Sequence, residues 1–536
     1  MRPNRRLGSV TLEEEGKCEA FLGMPSDGMR PNRRLGSVTL EEEGKCEAFL
    51  GMPSEDMRPN RRLGSVTLEE DKMIDWNKEE TMSPGFEKAF NCFLNTLSDQ
   101  EIPLHGVTII KDNKLLAERA FGTFTPTRIH RMYSVAKSFA SLAIGCLAEE
   151  GKLSLDDCIC DYFPELIPEE DVSELLKGLT IRQMLTMTTC YSKSTYGADE
   201  SRTKSYFVAK ADHMPGSVFY YDTSASFILG ALTEKLTGMK ILDYLRTRCL
   251  DEIGFSKEAY IITDNEGVSD CGSGMMCSMR DMAKVALLCL NNGKYNGKSL
   301  LPEAYLREAF KKHTPTDLQD SAEERHGYGY MFWKTRYDGF CMYGMGGQFA
   351  ACFPELNLVF VTIADTKENV GGVQLLWRAF YDHLYPYFDK SVAAKKSERA
   401  TCFVPTAGTL HSPYEEKISG KPFKCQQNDA GILSFMLDLE KSVFIFRNAE
   451  KTFTIPVGRN EWIEYDFNET VRAAASGNWI SDTNFAIKIY TFAEELSHVF
   501  FEIGFHDKTT TLKMKASGDV PFSRYKNKVA IAAQFE

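Results

Sequence analysis

The sequence predicts an α+β domain followed by a small all-β domain, behind a repetitive N-terminal extension. Three observations carry this. Strand-like runs stand at both ends of residues 82–390 with helical runs between them, so one sheet joins the ends of that segment. After residue 391, short apolar runs recur between turn residues every ~8–12 positions, the pattern of a small barrel or sandwich. Before residue 82, one polar segment is repeated. A chain of 536 residues has room for such an arrangement at roughly 150 residues per domain.

The repeat MRPNRRLGSVTLEEEGKCEAFLGMPS starts at Met1 and again at Met29, and a partial copy runs from Met57 to Glu70, a period of 28 residues. Its polar copies carry too few apolar residues to stack into a core, so residues 1–81 are expected to form a disordered extension, with a partner-binding arm as the alternative. From Gly106 the run Val-Thr-Ile-Ile, a polar Lys111–Lys114 turn and a second apolar run read as a β-hairpin. A helix is expected over Ser134–Glu150, with Phe139, Leu142, Ala143, Cys146 and Leu147 on one apolar face and Gly151 as its stop. Further helices fit Ile181–Met187, Ser224–Leu236, Met279–Asn292 and Val373–Leu384. The third of these opens on a capping-box spacing of Ser278 and Asp281. Gln348–Pro354 and Leu358–Ala364 read as adjacent strands, residues 391–425 as a linker and 426–536 as the β domain.

Composition narrows the function. A net charge of −12 leaves no general basic face for nucleic acid. No apolar run reaches the ~18 residues of a membrane span, and the N-terminus lacks the apolar core of a signal peptide. The 15 cysteines are odd in number, contain no CxxC and lie largely in apolar runs, as reduced thiols of a cytoplasmic protein do. The nine histidines show no metal-ligand spacing, so no metal or cofactor is expected.

Serine and lysine spaced S-x-x-K share one face of a helix and can act as nucleophile and base. Of three matches, at Ser134/Lys137, Ser201/Lys204 and Ser523/Lys526, only the first opens a strongly apolar helix. There the helix N-terminus favours an oxyanion, and burial can lower a lysine toward a usable base. Tyr221, in Pro215-Gly-Ser-Val-Phe-Tyr-Tyr-Asp-Thr223, becomes a candidate proton shuttle, its phenol easier to ionise near an ammonium. Tyr343-Gly-Met-Gly-Gly-Gln348 precedes a strand with glycines that admit close approach of a substrate. Gly293–Ser299 is one residue short of a P-loop, and no G-x-S-x-G elbow is present.

In this order the elements resemble the serine β-lactamase and penicillin-binding-protein superfamily. His130-Arg-Met-Tyr-Ser-Val-Ala-Lys-Ser-Phe139 and Glu149–Asp157 look most like its class C branch of esterases, D-aminopeptidases and 6-aminohexanoate-dimer hydrolases. The resemblance implies an antiparallel sheet flanked by helices plus an all-helical lobe over about Met82–Lys390, with a C-terminal barrel similar to lipocalin-like appendages. It implies Ser134 as acylated nucleophile, Lys137 as base, Tyr221 as the tyrosine of a Y-x-N motif, and an oxyanion hole of the Ser134 and Met345 amides. The Met345 assignment aligns Gly344 with the glycine of the lysine-threonine-glycine motif; a shift to Gly346 would make Gly347 the donor. Thr223 replaces the motif's asparagine, and Met342 or Gly344 stands where the third motif opens with lysine or histidine. Those losses disfavour β-lactams and favour a less polar amide or ester as small-molecule substrate, bound near Thr223, Gly344, Gly346 and Gly347. The expectation is a serine hydrolase working through an acyl-enzyme on Ser134. A D,D-peptidase or D-aminopeptidase, and a catalytically silent ligand-binding protein, are the alternatives.

Overall fold

The computed structural model describes residues 74–76, 78–168, 173–369, 371–395, 405–467, 471–492, 496–506, 510–517 and 528–535. The repeats expected between Met1 and Glu70 and the Ser523/Lys526 pair lie outside the described residues.

The first hairpin joins β1 (Leu104–Lys111) to β2 (Lys114–Ala120). Its two turn residues, Asp112 and Asn113, have φ of +52° and +57°, the paired left-handed conformation that tight hairpins require. β3 (His130–Tyr133), β4 (Tyr260–Ile261) and β5 (Met275–Cys277) make a small sheet of order β3-β5-β4. The near-miss to a P-loop is the hairpin of β6 (Lys294–Tyr295) and β7 (Lys298–Ser299). β8 (Trp333–Lys334), β9 (Phe340–Gly344), β10 (Gln348–Phe353) and β11 (Leu358–Ala364) complete a six-stranded antiparallel sheet of order β2-β1-β11-β10-β9-β8. The β1–β11 pairing joins the two ends of the domain, as expected.

β11 shows why the sheet is central. Leu358, Phe360 and Ala364 pack into one apolar cluster and Val359, Val361 and Ile363 into another, so both faces of the strand are buried. On the first side lie α1 (Pro84–Asp99), which the sequence reading did not anticipate, and the aromatic helical run Gly372–Phe388. On the other lie α2 (Val135–Glu149), α3 (Thr223–Thr237) and α4 (Met279–Leu290). The expected capping box is present at Ser278 and Asp281, and Gly151 follows α2 at φ +68°.

α2 departs from the expected one-sided face. Every residue from Val135 to Leu147 is buried, so the helix runs through the core and not along it. Its hydroxyls are satisfied internally: Ser138 Oγ donates to Met331 O at 2.8 Å and Ser141 Oγ shares a 2.9 Å bond with the Tyr305 hydroxyl.

The C-terminal strands are β12 (Pro422–Cys425), β13 (Ser434–Asp438), β14 (Val443–Arg447), β15 (Thr452–Pro456), β16 (Ile463–Asp466), β17 (Arg472–Trp479), β18 (Asn484–Phe492), β19 (Leu496–Phe505), β20 (Thr510–Ser517) and β21 (Lys528–Phe535). They form one barrel-like antiparallel sheet of ten strands whose two edges, β15 and β16, are consecutive in the chain. Phe435, Phe444, Ile455, Ile487, Phe501 and Leu512 fill its interior. β12 falls inside the segment read as a linker, where it pairs with β13 and β21. β16, β17 and β21 were also not anticipated: the first is half polar, and the second, Arg-Ala-Ala-Ala-Ser-Gly-Asn-Trp, is built of small residues of weak strand preference.

Candidate active site

Ser134 caps α2, and the chain enters it through Tyr133, whose φ of +48° is strained for a bulky residue. That bend turns β3 into the helix at the serine. The hydroxyl makes no capping bond. Lys137, one turn on, directs Nζ to Ser134 Oγ at 3.0 Å and to Gly272 O at 2.6 Å. Only 1% of Lys137 is exposed. Burial pulls its ammonium down to about 7, with Asp270 and Asp222 opposing the fall. A neutral amine there keeps an N–H for Gly272 O and turns its lone pair to the serine hydroxyl.

Gly272 is presented by a turn that Asp270 builds, accepting from the Gly272 amide at 2.9 Å and the Ser273 amide at 3.1 Å. A side chain at Gly272 would meet Thr223 Cγ2 at 2.5 Å, so Thr223 stands beside the lysine's carbonyl partner. Thr223 opens α3, capped by Asp222, which accepts from Ser224 N at 2.9 Å, Ala225 N at 3.2 Å and Thr189 Oγ1 at 3.0 Å. Burial nevertheless pushes the Asp222 carboxyl up to about 6.

Lys137 Nζ lies 4.7 Å from the centre of the Tyr221 ring, whose other neighbours are Trp333 at 5.5 Å and Tyr328 at 6.2 Å. The expectation that the lysine eases ionisation of this phenol is corrected: burial pushes Tyr221 up, and the nearby Ser134 hydroxyl offsets only part of the rise.

Gly344 ends β9 with its backbone against β3; a side chain there would meet Met132 O at 2.1 Å. Met345, Gly346 and Gly347 form the turn into β10, Met345 half-exposed and the glycines at φ +82° and +99°. Their carbonyls are tied inward, accepting from Gln348 Nε2 at 2.9 Å, Thr366 N at 3.1 Å and Thr362 Oγ1 at 2.8 Å.

Ser134, Lys137, Tyr221 and Thr223 thus converge, and Gly344 reaches the strand that leads to the serine. The rival pair does not form such a site: Ser201 caps a short helix, and the exposed Lys204 pairs with Asp199 at 2.8 Å. Sequence reasoning missed Gly272, Asp270, Asp222 and Trp333. Asp222 carried a legible signal, an acidic residue directly before a helix; the others carried none. Among the described residues no group of histidine, cysteine and carboxylate side chains is arranged to hold a metal, all 12 cysteines are free thiols, and no helix is long and apolar enough to cross a membrane.

The chain is similar to several known proteins. The 6-aminohexanoate-dimer hydrolase of Paenarthrobacter ureafaciens is 20% identical over 283 residues, 48% of this chain and 71% of that protein. Protein flp of Staphylococcus aureus strain N315 is 22% identical over 191 residues, 32% of this chain and 38% of that protein. The octameric penicillin-binding protein homologue from Pyrococcus abyssi aligns with a TM-score of 0.46 and 19% identity over 83% of this chain and 99% of that one. The family model for beta-lactamase matches residues 86–380, more than half of the chain, and the protein belongs to this beta-lactamase family of serine hydrolases.

Proposed function

We propose that the protein hydrolyses an amide or ester of a small, weakly polar substrate through an acyl-enzyme on Ser134. The observation that carries this reading is the buried Lys137 amine, held 3.0 Å from Ser134 Oγ and brought by burial to about 7. Such an amine takes the serine proton at neutral pH as Oγ attacks the carbonyl carbon. The tetrahedral oxyanion is received by the Ser134 amide, at the start of α2, and by the Met345 amide. Supporting Met345 is the contact of the preceding Gly344 with Met132 O. The proton then passes to the leaving amine or alcohol, with the Tyr221 phenol, kept protonated by burial, as the donor between lysine and leaving group. Water attacks the acyl-enzyme by the reverse path and frees Ser134. Thr223 offers a hydroxyl where the resemblance puts the amide of relatives, and Met342 a thioether where it puts their cationic group, which supports a neutral amide or ester over a β-lactam. The 6-aminohexanoate dimer, after which the Paenarthrobacter ureafaciens relative is named, is the first linear amide to try.

Intact-mass spectrometry after incubation with a fluorophosphonate tests the reading. A single adduct on the wild type, absent from Ser134→Ala, is expected. Folded wild type that takes up no probe would overturn it, and the ligand-binding alternative would then lead.

A further inference from the structure

The outer face of the barrel carries polar groups that are not in water. Glu502 and Lys513 stand directly opposite each other on β19 and β20, pointing away from the barrel interior. Yet they are only 1% and 4% exposed. Gly504 and Thr511 lie beside them on the same strands and Asn484 on the neighbouring β18, and these three meet the segment that leads to Tyr221. Lys513 Nζ donates to Phe219 O, two residues before the tyrosine. Asn484 Nδ2 donates to Ser217 O at 3.0 Å and to Glu502 Oε1 at 2.8 Å. Thr511 Oγ1 donates to Ser217 Oγ at 2.7 Å. Gly504 packs so closely that a side chain there would meet Ser217 O at 2.2 Å. Burial presses the Glu502 carboxyl up and the Lys513 ammonium down, and each opposes the other's shift.

From these contacts we infer that the barrel positions Tyr221: Lys513, Thr511 and Asn484, the last held by Glu502, fix Ser217 and Phe219 so that the phenol stays beside Ser134. The inference rests on the hydrolase reading for its kinetic consequence and on the contacts alone for its structural one. Two carbonyls and a hydroxyl of a short irregular segment are fixed from one side by the barrel. From the other side Phe219 packs on Tyr328 at 5.2 Å and Trp333 at 5.7 Å, the same rings that flank Tyr221. A segment clamped on both sides has little freedom to carry the phenol away from the serine. A misplacement of about 1 Å at such a group can slow a reaction about a hundredfold. Lys513 touches no reacting atom, so it is a positioning residue and not a catalytic one. A second barrel–lobe link, Lys515 to Asp320, makes no bond to Ser217, Phe219 or Tyr221 and serves as the internal control.

The test uses the full chain and two readouts: the saturable kinetics of Ser134 labelling by a fluorophosphonate, and hydrogen exchange of amides 217–223. Glu502→Gln with Lys513→Met removes both charges together and leaves neither stranded. It is expected to raise exchange over 217–223 and to cut the limiting labelling rate about tenfold with half-saturation unchanged, whereas Lys515→Met changes neither. Where the double variant fails to fold, Thr511→Val removes a single bond to Ser217 and is expected to slow labelling about threefold. A folded double variant with wild-type exchange and rate, or Lys515→Met matching its effect, overturns the inference. If wild-type Ser134 takes up no probe, the hydrolase reading falls instead, and the exchange measurement still decides whether the barrel holds this segment.

Discussion

One side chain sets the chemistry of the site. Lys137 has an ordinary value of 10.5 and stands at about 7 in the fold, because burial penalises its charge more than Asp270 and Asp222 support it. With the neutral amine as the proposed base, the labelling rate of Ser134 is expected to rise with pH through about 7 and level off above it; an ascending limb near 10 would remove Lys137 from that role. Between about 7 and 10.5 the unfolded chain holds the proton and the folded chain does not, so this group's unfavourable contribution shrinks as pH rises through that window. Replacing Lys137 by Met should therefore abolish labelling while raising stability at pH 7 by about 1–2 kcal/mol, read from urea melts. A less stable variant would mean that the bond to Gly272 O outweighs the desolvation of the ammonium. At this scale Ser134 and Lys137 were legible because three residues of helix is a local geometry. Gly272 was not: its carbonyl reaches the lysine across 135 positions of chain, and a backbone acceptor has no residue signature. The Tyr221 phenol was misjudged for the same reason, since Trp333 and Tyr328, which bury it, lie far along the sequence.

At the scale of elements, the apolar spacing of α2 was legible but its surroundings were not. A face at i, i+3, i+4 and i+7 reads as one-sided and leaves the serines Ser138 and Ser141 off that face. In the fold those serines bond inward and Gly145 admits the Tyr305 ring, with Cδ1 only 2.4 Å from where a side-chain carbon would sit. Small polar and small apolar residues are what let a helix be crossed at close range on every side, so burial of α2 depended on partners the spacing could not reveal. Gly145→Ala is accordingly expected to cost about 1–3 kcal/mol by overpacking against Tyr305, seen as a lower urea midpoint with an unchanged slope. Truncating the ring in the same chain, as Tyr305→Leu, should recover part of that loss; a neutral Gly145→Ala would mean that the helix can shift away from the ring.

At the scale of the molecule, the pairing of the two ends of the beta-lactamase-family domain through β1 and β11 was legible from strand-like runs at both ends. The docking of the barrel was not. Alternation along β19 and β20 marks Glu502 and Lys513 as outward, and outward ordinarily means wet. Only the assembled chain shows that outward here means against Ser217 and Phe219. That burial gives the interface a sharp energetic signature. Removing one charge of a buried pair strands the other in a poorly polarisable site, whereas removing both leaves a neutral contact of similar volume. Lys513→Met alone is expected to destabilise the chain by about 3–5 kcal/mol, and Glu502→Gln with Lys513→Met by well under half of that. Denaturant melts of the wild type, both singles and the double close the cycle. Equal losses in Lys513→Met and in the double variant would show that the two groups do not compensate each other, and that the bond from Lys513 to Phe219 O carries the loss.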